Sequence, residues 1–64
     1  MNGSWNYVGD TDPGSDGVYL CELQLRSGAH ILAPLVFHHI DSTWTYMTGE
    51  DVTKDVTVWR NLED

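Results

Sequence analysis

Apolar and polar residues alternate along several short stretches of this chain, which is the period of a β-strand. The first such strand is predicted at 18–25, and a second extended stretch follows at 30–40 after a tight turn at Ser27-Gly28. Because Pro34 has no backbone N–H, we expect the second strand to be bulged at Pro34 or to lie at a sheet edge. One face of the first strand is expected to carry Tyr19, Cys21, Leu23 and Leu25.

Two further strands are predicted in the second half of the chain. The third covers 44–47, with Trp44 and Tyr46 on one face, and the fourth covers 55–62. The stretch 49–56 has room for one short helical turn. The whole pattern predicts an all-β fold, a small antiparallel meander of four to five strands that is closed as a small barrel or backed by the N-terminal segment. In the fourth strand, one face should carry Val56, Val58 and Arg60, and the other Thr57 and Trp59.

The length of 64 residues predicts a single domain covering 1–64. A chain this short leaves stability marginal, and with Cys21 as its one cysteine it has no intramolecular disulfide and no cysteine-based zinc site. Hydrophobic packing or oligomerisation must therefore stabilise it, and a homodimer is one expectation. The first ten residues have neither the basic nor the apolar region of an export signal, and the longest apolar stretch, 31–37, is too short for a bilayer. We expect a cytoplasmic protein.

The net charge is −7, and only Arg26, Lys54 and Arg60 carry fixed positive charges. Nucleic acid and anionic membranes would repel such a chain, so neither is expected as a direct partner. A basic protein surface would attract it. The alternative is that the charge serves only solubility.

The loop 9–17, GDTDPGSDG, is dense in carboxylates and raises the question of a calcium site. A calcium loop of the EF-hand type needs oxygen ligands at positions 1, 3 and 5, Gly at 6 and Glu at 12. Neither Asp10 nor Asp12 as position 1 satisfies this spacing, because Cys21 or Leu23 then occupies position 12. Turn chemistry explains the Pro and Gly positions better, although a weak non-standard calcium site stays open.

Catalytic chemistry finds little support in the sequence. No nucleophile elbow or phosphate-cradling loop is present, and Cys21 should be a buried, inert thiol. His38 and His39 should leave opposite faces of one strand, and His30 approaches them only if Pro34 bends that strand, so a metal site with Asp41 is disfavoured. We expect no enzyme, no cofactor and no metal site. We also expect the chain to be too small for a substrate pocket of several hundred cubic ångströms.

The acidic residues fall into two groups along the chain, and these are the candidate partner-binding residues. If folding brings them to one side, they would compete with nucleic acid for a basic groove; the alternative is that charged residues simply occupy turns. Trp44 and Tyr46 are candidate contact residues, with core packing as the other explanation of the aromatic residues. The first group is Asp10, Asp12 and Asp16, and the second is Glu50, Asp51, Asp55, Glu63 and Asp64.

The order of several short motifs resembles a family of small uncharacterised proteins of tailed bacteriophages and prophages. The motifs are an early Trp5, a DPGSDG turn, a VYLCEL strand, a mid-chain Trp44 and a terminal VTVW strand followed by Leu62. The family usually has Leu-Pro-Glu in the turn, a His where Val58 stands, and a proline-rich ending. The resemblance implies a phage setting and a fold type, and no mechanism.

Together these features predict a non-enzymatic acidic binding protein, encoded by a phage or mobile element, that modulates a basic nucleic-acid-handling host protein in the manner of an anti-defence or anti-CRISPR protein. The alternative is a small structural or assembly protein that self-associates through a sheet edge or an apolar face. A third hypothesis is a weak metal- or sugar-binding module.

Overall fold

The computed structural model describes residues 5–62, which form one antiparallel sheet and one 3-10 turn. The all-β prediction is confirmed, and so is the short helical turn within 49–56. Each of the four predicted strands is present, with its ends within two residues of the prediction. The elements are β1 (Asn6–Tyr7), β2 (Gly17–Gln24), β3 (His30–His38), β4 (Thr43–Thr45), the 3-10 turn (Thr53–Asp55) and β5 (Val56–Asn61).

The strand order in the sheet is β1-β5-β2-β3-β4. Strands β2, β3 and β4 follow one another as hairpins, and β5 then returns to pair with β2, which is a Greek-key arrangement. The N-terminal segment supplies β1, which pairs with β5 through Asn6–Trp59 and Tyr7–Val58. Since β1 and β4 each have one neighbour, the sheet is open and does not close as a barrel.

The sheet buries one face in a core of eight residues. Trp44 and Cys21 are fully buried at the centre, and Trp59 is 7% exposed. Tyr19 packs its ring edge-on against Trp59 at 5.2 Å, and Phe37 contacts Trp44 at 4.8 Å between ring centroids. Aromatic side chains of this size fill a small core with few residues. The eight residues are Cys21, Leu23, Leu35, Phe37, Trp44, Val52, Val56 and Trp59.

A register shift makes one sequence prediction wrong. Val56 was expected opposite Trp59, yet both side chains are buried in the core. Cys21 pairs with Trp59, but Leu23 pairs with Val56, so β5 has one more residue than β2 across this interval. Such a bulge inverts the alternation on one side of it. Thr57 occupies the extra position, and its hydroxyl donates a hydrogen bond of 3.1 Å to the Glu22 carbonyl.

Three other positions in the β2–β3 hairpin, Leu25, Gly28 and Pro34, bear on the predicted strands. Leu25 was expected on the core face but is 38% exposed, because β2 ends at Gln24 and the Leu25 backbone instead closes the turn. Gly28 has a φ of +92°, as the predicted tight turn requires. Pro34 pairs with Leu20 without a bulge, and β3 lies between β2 and β4, so neither form of the Pro34 prediction holds for the strand as a whole. β4 covers only residues 36–38, which leaves Pro34 on an uncovered part of β3.

The loop before β2 is more than a connection. The Trp59 indole Nε1–H donates to the Thr11 carbonyl at 2.6 Å, and the Tyr19 hydroxyl donates to the Ser15 carbonyl at 3.0 Å. Pro13 between them is buried. The loop therefore covers the core face of the sheet over its aromatic side chains, which explains why it is long and lacks a strand of its own.

Candidate functional site

The acidic side chains of the described chain do not gather in one place. Asp16 directly precedes Gly17, which pairs with Phe37 at one end of β2, whereas Asp55 precedes Val56, which pairs with Leu23 near the other end. Gly17 and Leu23 are six residues apart along β2, a distance of about 20 Å. Asp16 and Asp55 thus lie toward opposite ends of β2, whereas Asp51 bridges to Thr45, which pairs with Val36 beside Val18, so Asp51 lies toward the end that follows Asp16. Glu63 and Asp64 are outside the described residues.

The first acidic group takes part in loop structure. The Asp12 carboxylate accepts the Gly9 N–H at 3.2 Å, and the Asp16 carboxylate accepts the His39 N–H at 2.6 Å. Asp16 thereby links the loop before β2 to the tip of the β3–β4 hairpin. Asp10 is exposed, and its N–H donates to the Tyr7 carbonyl. These three aspartates are accessible, but two of them already bond backbone N–H groups.

The second acidic group borders a cavity of about 410 Å³ between β4 and the 3-10 turn. A pocket of several hundred cubic ångströms was not expected in so short a chain, and that expectation is wrong. The cavity is present because the chain leaves the sheet after β4 and returns through the 3-10 turn, with a concave surface between the two. We call it the acidic cleft. Its lining residues are Thr43, Asp51, Val52, Thr53, Lys54 and Asp55.

Backbone contacts to β4 hold the acidic cleft in shape. The Trp44 N–H donates to the Thr53 hydroxyl at 2.8 Å, and the Val52 N–H donates to the Trp44 carbonyl at 2.9 Å. The Asp51 carboxylate accepts the Thr53 N–H at 2.8 Å, which is the local bond typical of an aspartate two residues before its donor. Because Trp44 is anchored in the core, these bonds fix the position of the cleft relative to the sheet.

The same bonds keep Asp51 ionised. The pKa of Asp51 is lowered, first by the backbone N–H of Thr53, then by the Thr53 hydroxyl, and further by the positive charges of Lys54 and His38. A carboxylate that accepts hydrogen bonds in its charged form releases its proton more readily. Asp51 therefore offers a fixed negative charge at the rim of the acidic cleft.

Most carboxylates in the described chain lack a cationic partner. Within residues 5–62, the one contact of ion-pair length joins Glu22 to His30 at 3.4 Å. Arg60, which is half-buried, places its guanidinium over the Trp5 ring at 5.5 Å instead of against a carboxylate. Glu50, Asp51 and Asp55 are all exposed. Their charges are directed to solvent.

The two aromatic candidates differ in accessibility. Trp44 is fully buried, so core packing accounts for it and its side chain offers no surface. Tyr46 is half-buried and packs against the core, and its N–H donates to the Glu50 carbonyl at 2.9 Å. Only part of the Tyr46 ring is therefore available beside the second acidic group.

Within the described part of the chain, the His, Cys, Asp and Glu side chains offer neither a cluster of metal ligands nor an accessible thiol. Among residues 5–62 no three His, Cys, Asp or Glu side chains converge as metal ligands. His38 Nε2 lies 2.9 Å from the Thr45 hydroxyl, whereas His30 faces Glu22 across the β2–β3 pair. Cys21 is fully buried, and burial raises the pKa of its thiol to about 12, so it is protonated and shielded at neutral pH.

Four residues of the acidic cleft were not predicted from the sequence: Thr43, Val52, Thr53 and Lys54. Thr43 comes from β4, Val52 precedes the 3-10 turn and the other two lie in that turn, so their meeting depends on how the chain returns to the sheet. The spacing of Asp51 and Thr53 was the one local feature that pointed to this site, because an aspartate two residues before an N–H donor forms a compact turn.

No protein-family model, no curated protein and no solved structure matches this chain. The resemblance to small phage proteins therefore stays a prediction. Within the described range, no helix has the length and apolar character needed to cross a membrane.

Proposed function

We propose that this protein is a non-enzymatic binding protein whose acidic cleft docks onto a basic, nucleic-acid-handling protein. A Lys or Arg side chain of that partner enters the cleft between Asp51 and Asp55, and Glu50 meets the basic surface around it. The chain acts in the host cytosol as a phage- or mobile-element-encoded inhibitor, in the manner of an anti-CRISPR protein that occupies a site otherwise held by nucleic acid.

One observation carries this proposal: Glu50, Asp51 and Asp55 are exposed and have no cationic side chain at ion-pair distance within residues 5–62, although the charges of Lys54 and His38 act on Asp51 from farther away. A charge that serves internal stability is normally found beside an opposite charge or buried hydrogen-bond donors. Here Arg60 stacks on the Trp5 ring, and Asp55 and Glu50 are exposed to solvent. Unneutralised charge on a rigid body steers a basic partner and accelerates its association.

The acceptor groups of the cleft fit a cationic side chain, although Lys54 adds one like charge to the same lining. Lys and Arg groups are donors only, and they require acceptors on the opposing surface. Asp51 and Asp55 supply carboxylate oxygens, and the hydroxyl oxygens of Thr43 and Thr53 supply further acceptors around the same cavity. Because the bonds to Trp44 fix the cleft before binding, little conformational entropy is lost on docking.

Charge reversal within the full chain tests the proposal. The immobilised protein is exposed to host lysate, and a captured protein is purified and titrated against wild type, the double variant Asp51→Lys/Asp55→Lys and the control Asp10→Lys/Asp12→Lys. Both variants change the net charge equally, so their difference reports the location of the contact. We expect at least a tenfold loss of affinity for the cleft variant, a smaller loss for the loop variant, and displacement by nucleic acid.

Salt provides the second arm of this test. Affinity should fall steeply between roughly 50 and 500 mM salt, because screening lengths shorten over that range. Binding that does not respond to salt, or that both double variants weaken equally, would contradict the proposal.

A further inference from the structure

We propose that two copies of this chain associate as a symmetric dimer through the sheet face that does not contact the core, and that each acidic cleft stays free in that dimer. The inference extends beyond the proposed function, since it concerns a different surface and a different partner, a second copy. It is carried by the apolar content of this face, by one arginine that pairs with no carboxylate within residues 5–62, and by the position of Pro34.

Alternation and strand register define the face. On the sheet face opposite the core, residues that pair across neighbouring strands form two adjacent rows. We call the surface of these two rows the outer face. The first row, from β1 to β3, is Tyr7, Val58, Glu22 and Leu32. The second row, from β5 to β3, is Arg60, Leu20 and Pro34.

The outer face is apolar and accessible. Tyr7 is 67% exposed and Leu32 is 62% exposed, at the two ends of the first row, and nothing in residues 5–62 covers them. The four strands contain 2, 6, 8 and 9 residues, which at roughly 3.3 Å per residue and 4.8 Å per strand present about 400 Å² for each copy. Two copies together reach roughly 800 Å², which is the size of a weak, transient interface.

Arg60 supplies the polar part of the argument. It is half-buried, its guanidinium stacks over Trp5, and its Nε is buried with no hydrogen-bond partner in the described chain. A guanidinium in such a position favours a carboxylate acceptor. Glu22 lies in the neighbouring row of the same face, and its contact with His30 is a full ion pair only when His30 is protonated.

A two-fold axis brings the accessible part of the Arg60 guanidinium opposite a carboxylate of the other copy, although it does not reach the buried Nε. In a symmetric interface, a contact from one residue to another is repeated in the opposite direction. Arg60 of each copy can therefore meet Glu22 of the other, and the apolar side chains between them pack together. The outer face carries one positive and one negative side chain, so it can pair with a second copy of itself. The acidic cleft carries mainly negative charge, so it cannot pair with itself in the same way.

The outer face suits association with a second copy better than the uncovered edge of β3 does. In the β2–β3 hairpin the Leu25 N–H bonds the Ala29 carbonyl, and bonded pairs then recur at every second residue. By this alternation the backbone of Leu32 and Pro34 points away from β2, along the edge that β4 leaves uncovered. Pro34 has no N–H to offer there, so pairing of two β3 edges is interrupted.

Sedimentation of the full chain across concentrations from roughly 1 µM to 1 mM, which brackets a weak dimer, tests the inference. Leu32→Glu is compared with Met47→Glu, a matched control because Met47 is 59% exposed and lies outside the outer face. The charge pair is tested with Arg60→Glu, Glu22→Arg and the double variant, each verified as folded by circular dichroism. No partner protein is present.

We expect a concentration-dependent dimer of wild type that Leu32→Glu weakens at least tenfold and Met47→Glu weakens less than twofold. Each single reversal weakens the dimer, and the double reversal restores it. Dimerisation strengthens with salt, because the net charge of −7 makes the copies repel. Salt is expected to weaken binding of the basic partner, which is the opposite effect. The dimer and the proposed function can therefore be contradicted separately. A monomer throughout, equal effects of the two glutamates, or a double reversal without recovery would overturn the dimer.

Discussion

The rings of Trp44 and Trp59 lie 6.4 Å apart between centroids, although two strands separate β4 from β5 in the sheet. In a flat sheet, three strand spacings amount to about 14 Å. The sheet must therefore curl around its aromatic side chains. Tyr19, on the strand between, contacts both tryptophans, at 6.0 and 5.2 Å. This curl lets a chain of 64 residues enclose a core without closing a barrel.

Trp59 is also the point at which the loop before β2 is attached, and Trp59→Phe tests this. Phenylalanine keeps an aromatic ring but removes the Nε1–H bond to the Thr11 carbonyl, which costs about 1 kcal/mol of unfolding free energy. Amide exchange in 9–16 should accelerate more than that in β2 and β3. Trp5→Phe, at a partly exposed position, should leave the loop exchange unchanged; equal effects of the two variants would contradict this attachment.

Local patterns in the sequence predicted most of the strands. The alternation around Cys21 and the turn at Gly28 depend on neighbouring residues, and both are confirmed. The side of Val56 was wrong because a bulge depends on pairing with β2, which no local pattern reveals. The acidic cleft escaped prediction for the same reason: Thr43 and Thr53 are distant in sequence and meet only when the chain returns to the sheet.

Pro34 should protect the exposed edge of β3, and Pro34→Val tests this. Valine restores an outward N–H and raises strand propensity, so the edge becomes a template for pairing with other chains. We expect faster formation of thioflavin-binding aggregates at equal stability. Adding Leu32→Lys to this variant should suppress the effect, because a charge on an edge opposes pairing. If Pro34→Val aggregates at the same rate as wild type, Pro34 does not protect this edge.

Asp51 should make stability depend on pH in acid. Its lowered pKa means that the folded state favours the carboxylate, so its contribution is complete above the ordinary value of 3.8 and is lost as the pH falls toward the lowered one. Asp51→Asn keeps an oxygen for the Thr53 N–H but cannot ionise. The difference in unfolding free energy between wild type and variant should shrink below about pH 4. Urea unfolding across this pH range measures the difference, and Asp41→Asn serves as the control. A difference between wild type and Asp51→Asn that does not change with pH would contradict the stabilising role of the Asp51 carboxylate.

Cys21 should make stability depend on pH in alkali. Burial raises its pKa from 9.0 to about 12, so above about pH 9 the unfolded chain releases a proton that the folded chain retains. Wild type should lose stability relative to Cys21→Ala by about 1.4 kcal/mol per pH unit once the unfolded thiol is ionised. Unfolding at pH 8, 9 and 10 gives the slope, and a constant difference between the two proteins would exclude this contribution.

The most direct test of the acidic cleft is a titration of the isotope-labelled chain with a hexa-arginine peptide, followed by amide chemical shifts. We expect saturable changes concentrated at Thr43 and residues 50–55, and their loss in Asp51→Lys/Asp55→Lys. Changes spread evenly over Asp10, Asp12, Asp16 and the cleft, or no saturable change at all, would contradict it.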